Sequence, residues 1–103
     1  MAPRYDKEGF LCDLKDWDCS IAEAIASAEQ IELTDSHWAV IHTLRGYYQQ
    51  TDISPAMRPF VKLIKTELSA EIGTSIALMK LFGPSPAKLA AKIAGLPKPT
   101  NCL

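Results

Sequence analysis

Leu33-Thr-Asp-Ser-His-Trp-Ala-Val-Ile-His-Thr-Leu-Arg-Gly-Tyr-Tyr-Gln49 decides the class of fold. Thr34 is a residue type that caps helices, Asp35 sets a carboxylate at the positive end of the helix so opened, and Leu33 can staple onto Trp38. Trp38, Ile41, Leu44 and Tyr48 then recur every three or four residues, a spacing that lines one face of an α-helix. The pattern predicts a helix running to about Gln49.

The same grammar extends in both directions. Upstream, Ser20-Ile-Ala-Glu23 reads as a capping box, and Ile21, Ile25 and Ala28 carry an amphipathic helix near Ser20 to Glu29. Downstream, Thr51 to Ile53 is a turn, Ser54 caps, and Pro55 suits the first position of a helix bearing Val61, Ile64 and Leu68. Pro59 would remove a backbone bond from that helix, leaving its first turn kinked or loose unless the helix starts later. Gly73-Thr-Ser opens a short helix through Leu81. Gly83-Pro-Ser-Pro86 breaks it, and Ser85 as cap with Pro86 behind it begins a last helix that Gly95 ends. Five helices on short links predict a mainly all-α fold, a small orthogonal bundle. Tyr5 to Asp13 reads as a strand or the remnant of a small hairpin.

The 103 residues suffice for one modest core, and 48% hydrophobic with 22% charged residues is ordinary for a globular protein. No apolar run reaches the roughly 18 residues of a membrane span, and no basic start leads into an apolar signal core, so the cytoplasm is expected. Three cysteines without Cys-x-x-Cys spacing argue against a disulfide framework, and Cys12 and Cys19 are expected to be small buried or half-buried residues. His37 and His42, five apart on one helix, do not share a face, so no metal site is predicted and His37 is expected to be structural. No phosphate loop, dinucleotide fingerprint or catalytic triad is present, and no cofactor is expected. The aromatic residues Trp17, Trp38, Tyr47, Tyr48, Phe60 and Phe82 fall mostly on helix stripes and read as core before they read as a base-stacking platform.

Charge is uneven along the chain. Residues 1–50 set four bases against nine acids, a balance of -5, whereas residues 51–103 set seven bases against three acids, a balance of +4. The basic half suggests an acidic partner or RNA, with a merely solvated face as the competing reading. It ends in Lys92-Ile-Ala-Gly-Leu-Pro-Lys-Pro-Thr-Asn-Cys-Leu103. After Gly95, two prolines fix φ and lack donors, so residues 96–103 are expected to leave a 1–95 domain as an extended, mobile arm with little apolar surface to bury. At about 3 Å per residue the arm spans on the order of 20 Å. It holds the Cys102 thiol out on a stalk, which suits delivery into another protein's active site.

That arm, together with Ser54-Pro-Ala-Met-Arg-Pro-Phe-Val-Lys-Leu-Ile64, the pair His37-Trp38, Gly9-Phe-Leu11 and Leu81-Phe-Gly-Pro-Ser-Pro-Ala-Lys88, resembles the DsrC/TusE family of sulfur-relay proteins from about Gly9 onward. The resemblance implies a cytoplasmic sulfurtransferase that carries sulfane sulfur as a persulfide on its penultimate cysteine, here Cys102, by transpersulfidation. Members that serve dissimilatory sulfite reductase carry a second cysteine eleven residues earlier, and Ala91 stands there in this chain. The single thiol is closer to TusE-like members, which pass sulfur toward 2-thiolation of the tRNA wobble uridine. The partners so implied are an upstream TusBCD-like donor complex and a downstream tRNA thiolase with its tRNA. A DsrC-like role beside sulfite reductase is the alternative. A helix-turn-helix-like nucleic-acid regulator is a third reading, disfavoured by the missing basic recognition helix. With eight residues before Gly9, the family's N-terminal hairpin is expected to be cut down. Arg58, Lys88, Lys92 and Lys98 are the expected docking charges, and a monomer is expected.

Overall fold

The structure, a computed structural model, describes residues 2–100. Among them five helices form: α1 (Cys19–Ala28), α2 (Asp35–Thr51), α3 (Met57–Glu67), α4 (Ser75–Phe82) and α5 (Pro86–Ile93), preceded by a 3-10 turn at Leu14–Asp16. The N-terminal segment is a turn closed by a single antiparallel bridge between Tyr5 and Leu11, with Asp6 Oδ1 accepting from the Glu8 and Phe10 amides at 2.9 Å each.

α5 is the hub. It packs against α1, α2, α3 and α4, and it can do so because its inner face is made of small side chains. Ala87, Ala90 and Ala91 are buried, with Ile93 and then Ala94 behind them, so the four surrounding helices approach closely. Around it Ile25, Val40, Ile41, Leu44, Phe60, Ile64, Leu78 and Phe82 complete a continuous apolar core. The surrounding helices supply two or three buried apolar side chains apiece, the large ones of the order of 1.5–3 kcal/mol each, and none would hold its place without that packing.

Two helix starts differ from expectation, each for a local reason. α1 is capped by Asp18, whose side chain accepts from the Ile21 amide at 2.9 Å, and Ser20 lies inside the helix. α3 begins at Met57 behind an extended Ala56, not at Pro55. A helix from Pro55 would place Pro59 where its missing N–H breaks a bond, and Pro55 itself pushes Ser54 toward extended backbone. Starting at Met57 puts Pro59 in the first turn, where the N–H has no intrahelical partner anyway. α2 runs two residues past Gln49 and stops at Asp52, in the left-handed region at φ 58°.

Candidate functional site: the root of the C-terminal strap

Cys102 lies outside the described residues, so the site is built from the segment that carries it. α5 ends in a Schellman motif: the Gly95 amide donates to the Lys92 carbonyl at 3.2 Å and the Leu96 amide to the Ala91 carbonyl at 2.9 Å, with Gly95 at φ 74°. The motif turns Leu96 back onto the core, where it is 2% exposed. Pro97 and Lys98 are exposed and Pro99 is buried. Leu96 therefore belongs to the packed body. The segment does have apolar surface to bury, and it buries Leu96 and Pro99. Pro97, Lys98 and Thr100 form one wall of a cavity of about 210 Å³ whose other wall is Tyr48, Asp52, Ile53 and Ser54 at the end of α2.

Two side chains far away in sequence complete the end of α5. Trp17 Nε1 donates to the Ile93 carbonyl at 2.9 Å, and Arg45 Nη1 donates to the Ala94 carbonyl at 2.7 Å. The Arg45 guanidinium lies 3.9 Å above the centre of the Trp17 ring. Burial lowers the pKa of Arg45, yet a guanidinium remains a cation at any working pH. The arrangement continues outward through His42, edge-on to Trp17 at 6.4 Å and stacked on Trp38 at 6.0 Å. Of the expected core aromatics Phe60 and Phe82 are fully buried, whereas Trp17 and Trp38 are only partly buried and form a half-exposed flank.

Three of the four predicted docking charges are brought together, but they are not free. Lys98 bonds Glu8 at 3.1 Å, Lys88 reaches the same carboxylate at 3.4 Å, and Lys92 bonds Glu29 at 2.6 Å with its Cε against Gly9. The basic half of the chain is thus folded onto the acidic half, which linear charge counting could not foresee. Arg58 stands apart, exposed in the first turn of α3 and without an ion pair to another described residue. Lys62 and Lys65, also exposed, follow at four and seven residues from it and extend it into one basic stripe. The sequence carried that spacing, though Lys62 and Lys65 were not among the predicted site residues.

Cys12 and Cys19 are both exposed, contrary to expectation. Cys12 sits at the mouth of the bridged N-terminal turn, and Cys19 is the first residue of α1, three residues before the first buried position, Ala22. His37 is buried: its Nδ1 accepts from the Thr34 amide at 3.0 Å and its Nε2–H donates to the Leu81 carbonyl at 2.7 Å, joining the start of α2 to the end of α4. Both ring nitrogens are therefore used in holding the fold. No group of three or more possible ligands suited to a metal occurs among the described residues, and no helix among them is long and apolar enough to cross a membrane. Arg45 and Trp17 were missed as functional candidates. The available signal was a lone arginine next to the apolar stripe of the longest helix, but its partners lie 49 and 28 residues away.

Comparison with known proteins agrees with this architecture. Residues 2–103 match the family model described as "DsrC like protein". The chain is 49% identical over 98 residues to a sulfurtransferase TusE homolog of Haemophilus influenzae, covering 95% of this chain and 90% of that protein. It is 47% identical, over 95% of this chain and 86% of the relative, to sulfurtransferase TusE of Buchnera aphidicola from Acyrthosiphon pisum. Among solved structures, DsrC of Allochromatium vinosum superposes with a TM-score of 0.89 at 42% identity, covering 98% of this chain and 90% of that one. The oxidized gamma-subunit of dissimilatory sulfite reductase (DsrC) from Archaeoglobus fulgidus gives 0.84 at 42% identity, with 98% and 92% covered. A family match over residues 2–103, together with relatives at 49% and 47% identity over nearly the whole length, identifies the chain as a member of the DsrC-like family.

Proposed function

We propose that this protein is a sulfur-relay carrier that takes sulfane sulfur onto Cys102 and hands it on toward 2-thiolation of the tRNA wobble uridine. The Cys102 thiolate attacks the terminal sulfur of a donor persulfide. The donor S–S bond breaks, its electron pair leaves on the donor thiolate, and the new S–S bond makes Cys102 the persulfide. An acceptor thiolate repeats the step, so each transfer is redox-neutral. A cysteine suits the task because even an unperturbed thiol is a few per cent thiolate at neutral pH and strongly nucleophilic.

The observation that carries the reading is the near-full-length similarity to proteins named sulfurtransferase TusE, in a chain whose strap follows directly from a helix held by all the others. Residues 96–103 act as the delivery arm, with Leu96 and Pro99 seated on the body. The donor is a TusBCD-like relay complex and the acceptor a tRNA thiolase, met in the cytoplasm by the exposed bases, Arg58 first. A role beside sulfite reductase is a second reading, favoured by the likeness to DsrC structures. Against it, Ala91 is a 1% exposed methyl inside α5, where the resemblance would put a second cysteine.

The test is intact mass spectrometry after incubation with a cysteine desulfurase, cysteine and the donor complex. Wild type, Cys12→Ser and Cys19→Ser should each gain the mass of one sulfur, and Cys102→Ser should gain none. Because Cys12 and Cys19 are exposed and open to reagents, the double replacement of both is the decisive form. Transferable sulfur retained by Cys102→Ser would end the proposal.

A further inference from the structure

We infer that Arg45, stacked on Trp17, is a positioning residue for sulfur delivery: the pair forms the pivot that fixes the direction in which the strap leaves the body. The inference rests on the strap being the delivery arm of the proposed function.

The last carbonyls of a helix have no intrahelical donor, and most helix ends leave them to water. Here all of them are occupied. Ala90, Ala91 and Lys92 accept from the Ala94, Leu96 and Gly95 amides, while Ile93 and Ala94 accept from Trp17 and Arg45. The two side-chain donors grip consecutive peptide planes and so set φ and ψ of Ala94, while the Leu96 amide bonded to Ala91 holds the next plane and with it Gly95, the joint from which the strap departs. Gly95 lies so close beneath Trp17 that a Cβ there would overlap the indole. The joint has a preset angle and little room to change it.

Arg45 sits on the flank of the apolar stripe of α2, and its burial carries a desolvation cost that an aliphatic residue of similar size would avoid. The cation gains from the negative end of α5, from the indole face and from a charge-assisted bond to Ala94. All three gains act at the root of the strap, and from that root the chain runs past the end of α2 along Ile53 and Ser54.

Spin labels at Cys102 and at position 62 in Lys62→Cys, on the full chain with Cys12→Ser and Cys19→Ser, read the strap's direction as a distance distribution. Arg45→Ala should widen that distribution by roughly twofold or more, toward the spread of a free Pro-rich linker. Arg45→Lys, which keeps the charge but not the planar stack, should recover part of the loss, and Trp17→Phe should widen it less than Arg45→Ala. Iodoacetamide should modify Cys102 at an unchanged rate in every variant. Ile64→Val, a core change away from the root, controls for lost stability and should leave the width unchanged. An unaltered width in Arg45→Ala, or equal widening in Ile64→Val, would overturn the pivot. Transferable sulfur on Cys102→Ser would overturn the carrier reading instead, with the distances still readable.

Discussion

Glu8 and Lys98 lie 90 residues apart in sequence and bond at 3.1 Å, so the turn that opens the chain holds the strap just beyond its root. The same carboxylate takes Lys88 from α5. The strap is therefore held in two different ways: rigidly at Gly95 by packed aromatic and guanidinium groups, and loosely at Lys98 by an exposed ion pair.

The loose tether should open with acid or salt. The Lys98 ammonium, with Lys88 beside it, holds the Glu8 carboxyl below the ordinary carboxylate range. A depressed folded-state pKa means that the contribution is complete above the unfolded value and lost as pH falls through the folded one. At neutral pH the tether is fully formed. Below the usual carboxylate range, or above about 0.5 M salt where screening is short-ranged, backbone order parameters at Lys98 and Thr100 should drop. Glu8→Gln should show the low order at neutral pH and lose both dependences. Order parameters indifferent to pH, salt and the substitution would mean that Pro99 packing alone seats the strap.

Gly95 and Gly83 separate two reasons for needing glycine. Both have positive φ, at 74° and 91°, but a Cβ at Gly83 meets open space whereas one at Gly95 runs into Trp17. Gly83, at ψ -167°, lies in a region essentially confined to glycine, so Gly83→Ala should cost about 1–3 kcal/mol from backbone conformation alone. Gly95→Ala adds overpacking to its backbone cost and should cost about 2–4 kcal/mol. Urea unfolding measures both, and a Gly95→Ala cost of about 1 kcal/mol or less would show that the indole moves aside freely.

Much of this architecture is legible in the sequence where the signal is local. Thr34, Pro86 and Gly95 mark helix ends by chemistry confined to a few residues, and all three mark observed boundaries. Ser20 misled because Asp18, two residues earlier, is an equally good cap, and only the packing of Ile25 and Ala26 chooses between the two registers. The root of the strap was not legible. Trp17 to Ile93 and Arg45 to Ala94 are contacts across 76 and 49 residues, set by how α5 threads the bundle, and no periodicity encodes them. The pairing of Lys88, Lys92 and Lys98 with Glu8 and Glu29 was hidden for the same reason.

His37 replaces the usual glutamate of a capping box, accepting from Thr34 with one nitrogen and reaching Leu81 with the other. His37→Ala would leave the part-buried Thr34 amide and Leu81 carbonyl without this partner, beside a cavity against Phe82, whose ring lies 5.1 Å away. The expected cost is about 2–4 kcal/mol. His37→Gln can restore the bond to Thr34 and should recover part of it. Thermal unfolding reads this, and a His37→Ala variant as stable as wild type would show that the two ends of α2 and α4 are held by apolar packing alone.

The basic residues make a sharper prediction about partners than their number does. Lys92 is engaged with Glu29 and mostly buried, so it is poorly available to another molecule, whereas Arg58, Lys62 and Lys65 form an exposed stripe on α3. If an acidic relay partner docks on this chain, reversing charge at Arg58 and Lys62 should slow association at low salt by about tenfold or more, with the difference fading as salt screens it. Reversing Lys92 should act differently: it sets two carboxylates together at Glu29 and should lower the unfolding midpoint before it touches association. Stopped-flow transfer of persulfide sulfur from the loaded chain, measured across ionic strength, separates the two. Association unchanged by the α3 reversals at low salt would leave that stripe a solvated face and move the docking surface to the aromatic flank of Trp17, Trp38 and His42.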